Sequence, residues 1–461
     1  MAANNSAPKV TKKRAALGSV WVLSEFGADQ AIRMARSLLL TRLISKELYG
    51  LLGLTAIVID LISNLSDVGI NLSIIRQRRA DERDFVNTAW TLSLVRGVAV
   101  WLVASLVAFP AALFYDEPKL ALAVPLLAFS AILTGAWSTK ISTANRDLNF
   151  ARITFMKILC KSLGLAATIT WALNAPDHLG VILVGPLLTA VLILICSFVV
   201  LPGPNNFFAW DKDSLNELVR FGRWILLSTL MTFFLRKGDL LTVGKLEGTA
   251  ALATYTVAYQ LGEMAPRAYQ LLNSRIVFPV YSAFQDESVK ALRRKVFKLR
   301  GVLMILFLPL SWLLILFGSP LVRLLYPENY SDAGWMLELF VAGRCPRLIT
   351  ASMAGILLAK GNSFRFMIQK TVGGALVLTC MGLGAWIGAN QYGPPGLWSQ
   401  MGTDNSQIAG LLIGMGAGYL LTYPLTVWAV RGYSIWMPRL DMPFFLGTAG
   451  VLAIRYTLLP W

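Results

Sequence analysis

Histidine is almost absent from this chain, and cysteine is scarce. His178 is the only histidine among 461 residues, and the four cysteines lack any spacing typical of metal ligands. We therefore predict neither a metal site nor a disulfide framework, and we expect no cofactor. A proton relay through histidine has His178 as its one candidate, and we interpret this residue as part of a short loop.

Charge is also scarce, which argues against a soluble protein. Only 15% of the residues are charged and 56% are hydrophobic, with a mean hydropathy of +0.60. Several stretches without any charge, such as residues 179–210 and 371–403, exceed the ~20 residues that a helix needs to cross a bilayer. The pattern predicts an all-α membrane protein with twelve transmembrane helices, and a thirteenth or fourteenth is left open. The predicted spans are residues 18–42, 49–73, 86–113, 119–139, 153–174, 179–201, 222–244, 249–274, 301–318, 333–359, 367–389 and 407–430.

The distribution of positive charge predicts the orientation of these spans. The formal net charge is +17, but Lys and Arg lie between apolar segments rather than on one soluble face, which argues against nucleic acid as a partner. The connections on one side of the predicted membrane hold 25 of the 42 Lys and Arg residues, and those on the other side hold 3. The positive-inside rule therefore places both termini in the cytoplasm of a bacterial inner-membrane protein, with the basic loops against anionic membrane lipids.

The chain resembles a duplication. A shift of 203 residues aligns tryptophan, arginine and acidic positions of the two halves, namely Trp21 with Trp224, Arg33 with Arg236, and Asp60 with Glu263. We predict a six-helix bundle over residues 1–205, a second over 206–430, and an extension over 431–461 with a possible extra membrane helix. Parallel repeats of this kind place a substrate path between them, so we expect two pseudo-symmetric bundles around a central cavity.

Charged residues inside the predicted spans are the candidate functional residues. In the first span, Glu25, Asp29, Arg33 and Arg36 are spaced so that they share an arc of roughly 80° on one helix face. Asp29 and Arg33 are four residues apart, so we expect them to pair. A charge at the bilayer centre costs ~2.5–3.5 kcal/mol on insertion scales, which predicts that this stripe faces protein or a water-filled cavity.

Intramembrane cations indicate an anionic cargo, because arginine binds phosphate with a planar fork of donors. The candidate substrate-binding cations are Arg33, Arg36, Arg236, Arg267, Arg344 and Arg347. The candidate ion-coupling carboxylates are Glu25, Asp29, Asp60 and Glu263. The alternative is that such charges form pairs between helices that stabilise packing, and we favour this reading at least equally for Lys161, Arg96 and Lys370.

Short motifs in the first 300 residues resemble those of a known transporter family. They are TRLISKELYG at residues 41–50, SDVGI at 66–70, FYDEP at 114–118, NRDLNF at 145–150 and FPVYS at 278–282. In this order and spacing they are similar to the polysaccharide transporters, or Wzx-type oligosaccharide-lipid flippases, of the multidrug/oligosaccharidyl-lipid/polysaccharide exporter superfamily. The resemblance implies alternating access that moves an undecaprenyl-pyrophosphate-linked oligosaccharide of exopolysaccharide or O-antigen type from the cytoplasmic to the periplasmic leaflet. H⁺ or Na⁺ as coupling ion, and polysaccharide polymerisation or export machinery, are further candidate partners.

Two other functions compete with this one. An ion-coupled multidrug or organic-cation exporter shares the superfamily architecture, but the excess of intramembrane arginine argues against it. A membrane glycosyltransferase or polymerase would use the acidic pair Asp211 and Asp213 to hold a metal and a nucleotide sugar. This three-residue signal in a polar linker is weak, and the sequence has no sizeable soluble domain to bind a nucleotide. We therefore predict a transporter and no enzyme.

Overall fold

The computed structural model describes residues 12–66, 82–146, 150–211, 231–273, 289–351, 353, 355–359, 362–391, 406–433 and 436–458. Motif residues 67–70, 147–149 and 278–282, and residues 212–220 of the polar linker, lie outside this set. The chain divides into two compact units, Met1–Thr229 and Leu230–Trp461. All regular secondary structure in the described residues is helical.

The described residues of the N-terminal unit form helices α1 to α7. They are α1 (Lys12–Leu43), α2 (Lys46–Leu65), α3 (Arg83–Tyr115), α4 (Leu120–Gly135), α5 (Lys140–Arg146), α6 (Phe150–Asn174) and α7 (Gly180–Val199). Local sequence accounts for several of the ends. Ser45 caps α2, because its hydroxyl accepts a hydrogen bond from the backbone N–H of Leu48 at 3.3 Å. Asp116 ends α3 in the left-handed conformation at φ 55°.

Helices α4 and α5 are bent by 57° relative to each other, and this bend positions the polar residues described below. The side chain of Trp90 on α3 donates to the carbonyl of Ala136 at 3.0 Å. The buried ammonium of Lys140 donates to the carbonyl of Phe198, 3.0 Å away at the end of α7. Side chains therefore satisfy backbone groups at the interrupted helix, as a membrane environment requires.

The part of the C-terminal unit that the structure describes forms helices α8 to α16. They are α8 (231–246), α9 (Gly248–Gly262), α10 (Met264–Leu272), α11 (Val289–Leu325), α12 (Ala333–Ala351), α13 (Gly355–Ala359), α14 (Ser363–Ala389), α15 (Ser406–Val430) and α16 (Pro438–Leu458). Proline lacks the N–H that would bond the carbonyl one turn earlier, so Pro266 leaves the Gly262 carbonyl without its helical partner beside the α9–α10 junction at Glu263.

Helices α14 and α15 pack at very short separation through glycine. A Cβ atom at Gly384 would collide with the carbonyl oxygen of Gly410, and one at Gly410 would collide with that of Gly384. Small residues at such a face let two membrane helices approach until their backbones touch.

Helix α16 is joined to its own unit by two buried ion pairs. Arg300 on α11 bonds Asp441 at 2.7 Å near the start of α16, and Glu338 on α12 bonds Arg455 at 2.9 Å near its end. All four side chains are at most 3% exposed. The C-terminal extension is therefore helical and packed against α11 and α12.

The apolar helices confirm an all-α membrane protein. Within the described residues, seven helices are long and apolar enough to cross a membrane, and an eighth is added if α4 and α5 form one bent span. The remaining predicted spans fall on helices that carry more charge, such as α1 and α12, on the 15-residue helix α9, or partly on residues outside the described set. The count of twelve spans stays a prediction.

Candidate functional site

The polar stripe of α1 contacts α6 through two neighbouring ion pairs. Glu25 bonds Lys157 at 2.9 Å, and Asp29 bonds Lys161 one turn further along. Asp29 also pairs with Arg33 at 2.5 Å, as the spacing on α1 predicts. The stripe thus faces protein, and its acidic members are held by the lysines of α6.

The cationic end of this stripe lines a cavity. Arg33, Arg36 and Lys161 border a space of ≈ 320 Å³ together with residues of α4, α6 and α7, and we call it the arginine cavity. The Arg33 side chain is 42% exposed, although Asp29 and Gln30 both bond it. The described lining contains these three cations and no carboxylate, and Asp29 pairs with two of them, so the cavity carries excess positive charge and suits an anion.

A second cavity adjoins the first at the bend between α4 and α5. It encloses ≈ 400 Å³ and is lined by hydroxyl and amide side chains and by two cations, Arg96 and Lys157; we call it the hydroxyl cavity. Thr134 and Trp137 line both cavities. Because Arg96 also donates to the Ser63 carbonyl at 2.9 Å, it connects α3 to the end of α2 as well.

In the C-terminal unit the intramembrane charges form a buried cluster around Arg344. Its guanidinium bonds Asp239 at 3.0 Å and also bonds Glu263, and all three residues are buried. The Tyr255 hydroxyl donates to Asp239 at 2.8 Å. Two carboxylates therefore hold the Arg344 guanidinium in place, and Arg267, 4.0 Å from Glu263, offsets part of their excess negative charge.

Tyr259 contacts three cations, one of which is Arg344 of this cluster. Lys237, Arg267 and Arg344 lie 5.2, 6.0 and 5.6 Å from the centroid of its ring, within the range of cation–π attraction. Its hydroxyl donates to the backbone carbonyl of Arg236 at 3.0 Å. The ring is 2% exposed, so the cations stack on a buried aromatic surface.

The structure places the candidate residues in four settings. Glu25, Asp29, Arg33 and Arg36 share one face of α1. Arg236, Glu263, Arg267 and Arg344 surround Tyr259, whereas Arg347 stacks on Tyr419 at 5.8 Å. Asp60 lies exposed on α2.

Sequence reasoning missed the partners that hold these charges. It left Lys157 out and did not assign Asp239 to the site, although both are charges within apolar segments. Lys157 and Lys161 are spaced four apart on α6, matching the spacing of Glu25 and Asp29 on α1, and this complementary spacing was the available signal. Lys161, interpreted at least equally as a packing residue, both pairs with Asp29 and lines the arginine cavity.

Comparisons with known proteins identify both sequence and structural relatives. A family model described as "Polysaccharide biosynthesis protein" matches residues 39–334. The lipopolysaccharide biosynthesis protein WzxC of Escherichia coli K12 is 23% identical over 342 residues, 72% of this chain and 68% of WzxC. The teichuronic acid biosynthesis protein TuaB of Bacillus subtilis 168 is 21% identical over 299 residues, 64% of this chain and 61% of TuaB.

Solved structures with the same fold are transporters. The lipid II flippase MurJ in an inward closed conformation matches with a TM-score of 0.69 at 11% identity, covering 96% of this chain and 93% of MurJ. An inward-facing multidrug resistance MATE family transporter of the MOP superfamily matches with a TM-score of 0.64 at 14% identity, covering 92% of this chain and 95% of the transporter. At these identities the likeness establishes the fold.

Proposed function

Because this chain belongs to the polysaccharide biosynthesis protein family, we propose that it is a flippase for an undecaprenyl-pyrophosphate-linked oligosaccharide of exopolysaccharide or O-antigen type. It would move this lipid from the cytoplasmic to the periplasmic leaflet of the bacterial inner membrane by alternating access. The transporter fold supports this function and argues against an enzyme.

The observation that carries the proposal is the arginine cavity. Three cations, Arg33, Arg36 and Lys161, line a space large enough for a diphosphate, within a unit made of apolar helices. Charge-assisted hydrogen bonds contribute ~1.5–3 kcal/mol each, so two arginines on one diphosphate would account for strong binding. An organic cation would be repelled by the same cavity, which disfavours the multidrug-exporter alternative.

In the C-terminal unit, Arg236, Arg267 and Arg347 are the proposed substrate-binding cations. The Arg267 side chain is 21% exposed and lies 4.0 Å from Glu263, a longer separation than the contacts of Arg344. Arg344 is buried between two carboxylates, so we assign it chiefly to holding Asp239 and Glu263 in place.

For ion coupling we propose Glu25 and Asp29 ahead of Glu263 and Asp60. Glu25 and Asp29 border cavities through their lysine partners, and an entering H⁺ or Na⁺ would compete with Lys157 and Lys161 for the same carboxylate oxygens. Coupling to polysaccharide polymerisation or export machinery fits the family but has no residue assigned to it.

The test is the leaflet exposure of the lipid-linked oligosaccharide in cells whose only copy of the protein carries Arg33→Ala with Arg36→Ala. We expect flipping to fall at least tenfold at equal protein abundance, because two charge-assisted contacts to phosphate are lost. The matched control is Arg42→Ala, an exposed arginine of the same helix, which should flip normally. Normal flipping by the double variant would refute the proposed role of the arginine cavity.

A further inference from the structure

The hydroxyl cavity has a lining that differs in chemistry from that of the arginine cavity. Its polar side chains include Ser93, Thr134, Ser142, Asn145, Arg96 and Lys157. No acidic side chain contributes to this lining as the structure describes it. A volume of ≈ 400 Å³ is large enough for a sugar ring.

The hydrogen bonds within the wall determine what the cavity offers a ligand. The Ser93 hydroxyl donates its proton to the Ala89 carbonyl at 2.9 Å, and the Thr134 hydroxyl donates to the Ala131 carbonyl at 3.1 Å. Since each hydroxyl has one proton and two lone pairs, these oxygens present acceptors to the cavity. Acceptors repel the oxygens of a phosphate but match the O–H donors of a sugar.

The remaining polar groups supply the complementary donors. Asn145 supplies N–H donors, which suit the oxygen lone pairs of sugar hydroxyls. Arg96 and Lys157 also line the cavity, and they use part of their N–H groups to bond Ser63, Ser66 and Glu25. Trp137 adds an apolar ring face, and its indole N–H is held by the Ala190 carbonyl at 3.1 Å. A mixture of acceptors, donors and one aromatic face is what a sugar ring requires, because each of its carbons carries an oxygen on an otherwise apolar ring.

The position of the hydroxyl cavity fits the covalent structure of the proposed substrate. In a lipid-linked oligosaccharide the first sugar is bonded directly to the diphosphate. Thr134 and Trp137 line both cavities, so a diphosphate beside Arg33 and Arg36 would have its first sugar next to the hydroxyl cavity.

We infer that the hydroxyl cavity binds the first sugar ring of the transported lipid, with Ser93 accepting from and Asn145 donating to its hydroxyl groups. This inference rests on the proposed flippase function. It identifies a hydroxylated sugar ring as the ligand class and makes Ser93 and Asn145 specificity-determining residues.

The test measures binding to the purified full-length protein of two probes, citronellyl diphosphate and citronellyl diphosphate bearing one glucose. The variant is Ser93→Ala with Asn145→Ala, which alters the hydroxyl cavity and leaves Thr134, shared with the arginine cavity, in place. We expect Kd for the glucosyl probe to rise about tenfold, as the loss of two hydrogen bonds implies. Kd for the sugar-free probe should stay within twofold.

Ser105→Ala is the matched control. Ser105 lies on the same helix as Ser93 and donates to the carbonyl four residues earlier, that of Trp101, at 2.8 Å, but it does not line the cavity. This variant should bind both probes as the unaltered protein does, and its unfolding temperature should match that of the double variant.

Three results would overturn the inference. Equal affinity of the unaltered protein for the two probes would mean that no sugar site exists, while diphosphate binding and the proposed function would stand. An equal loss for both probes in the double variant would reduce Ser93 and Asn145 to structural residues. The third result has two parts: the unaltered protein binds neither probe, and cells that lack the protein still expose the lipid-linked oligosaccharide normally. Together these would refute both the flippase function and the sugar site.

Discussion

At the scale of single residues, arginine inside the helices has two different environments. Arg344 is 2% exposed and contacts two carboxylates, whereas Arg33 is 42% exposed, shares Asp29 with Lys161 and lines a cavity. The first arrangement leaves Arg344 no unbalanced positive charge and holds helix α8, the α9–α10 junction and helix α12 together. The second leaves positive charge to attract a ligand.

This difference predicts a stability effect for Arg344. Arg344→Met would leave Asp239 and Glu263 buried without their cation, and we expect a loss of about 3–5 kcal/mol in the free energy of unfolding. Thermal or denaturant unfolding of the detergent-solubilised protein measures this loss. The exposed Arg431→Met should unfold as the unaltered protein does, and an equally stable Arg344→Met would show that the cluster contributes little to folding.

At the scale of elements, backbone proximity determines how α14 and α15 pack. The carbonyl oxygens of Gly384 and Gly410 occupy the positions where a Cβ of the opposite residue would lie. Dispersion contacts between closely packed backbones replace the hydrophobic driving force, which is weak between helices surrounded by lipid.

The glycine contact predicts opposite effects for two substitutions on one helix. Gly384→Ala should destabilise the protein by about 1–3 kcal/mol, because its methyl group forces the two helices apart. The Cβ atom added by Gly382→Ala has no neighbouring atom within 4 Å. This substitution should be neutral or slightly stabilising, because a helix is more stable with alanine than with glycine at an interior position. Unfolding measurements on both variants give the comparison, and similar values for the two would contradict the close-packing account.

At the scale of the whole molecule, the distribution of basic residues predicts which loops face the cytoplasm. The connection holding residues 290–300 is the most basic, and the short turn at His178 lies on the opposite side of the predicted membrane. Membrane orientation is a property of the whole chain, because each span reverses the direction of the next.

Cysteine labelling tests this orientation. His178→Cys should react with a membrane-impermeant maleimide in spheroplasts with an intact inner membrane, and Arg294→Cys should react only after that membrane is permeabilised. Both positions are exposed, so access through the membrane decides the reaction. The native cysteines all lie in helices, and labelling of the unsubstituted protein measures their background reaction. Labelling of Arg294→Cys in intact spheroplasts would show that the predicted topology is wrong.

The sequence by itself determined the helical membrane class, the family and the polar face of α1, because hydropathy, motif order and 3.6-residue periodicity are local properties. It also predicted the Asp29–Arg33 pair, whose partners are one helical turn apart. Only the tertiary structure decided which distant charges meet, such as Arg344 with Asp239 and Arg455 with Glu338. It also placed the hydroxyl cavity at the bend between α4 and α5. Such contacts depend on how helices cross and bend. The position of a side chain in the sequence does not reveal which helix will pack against it.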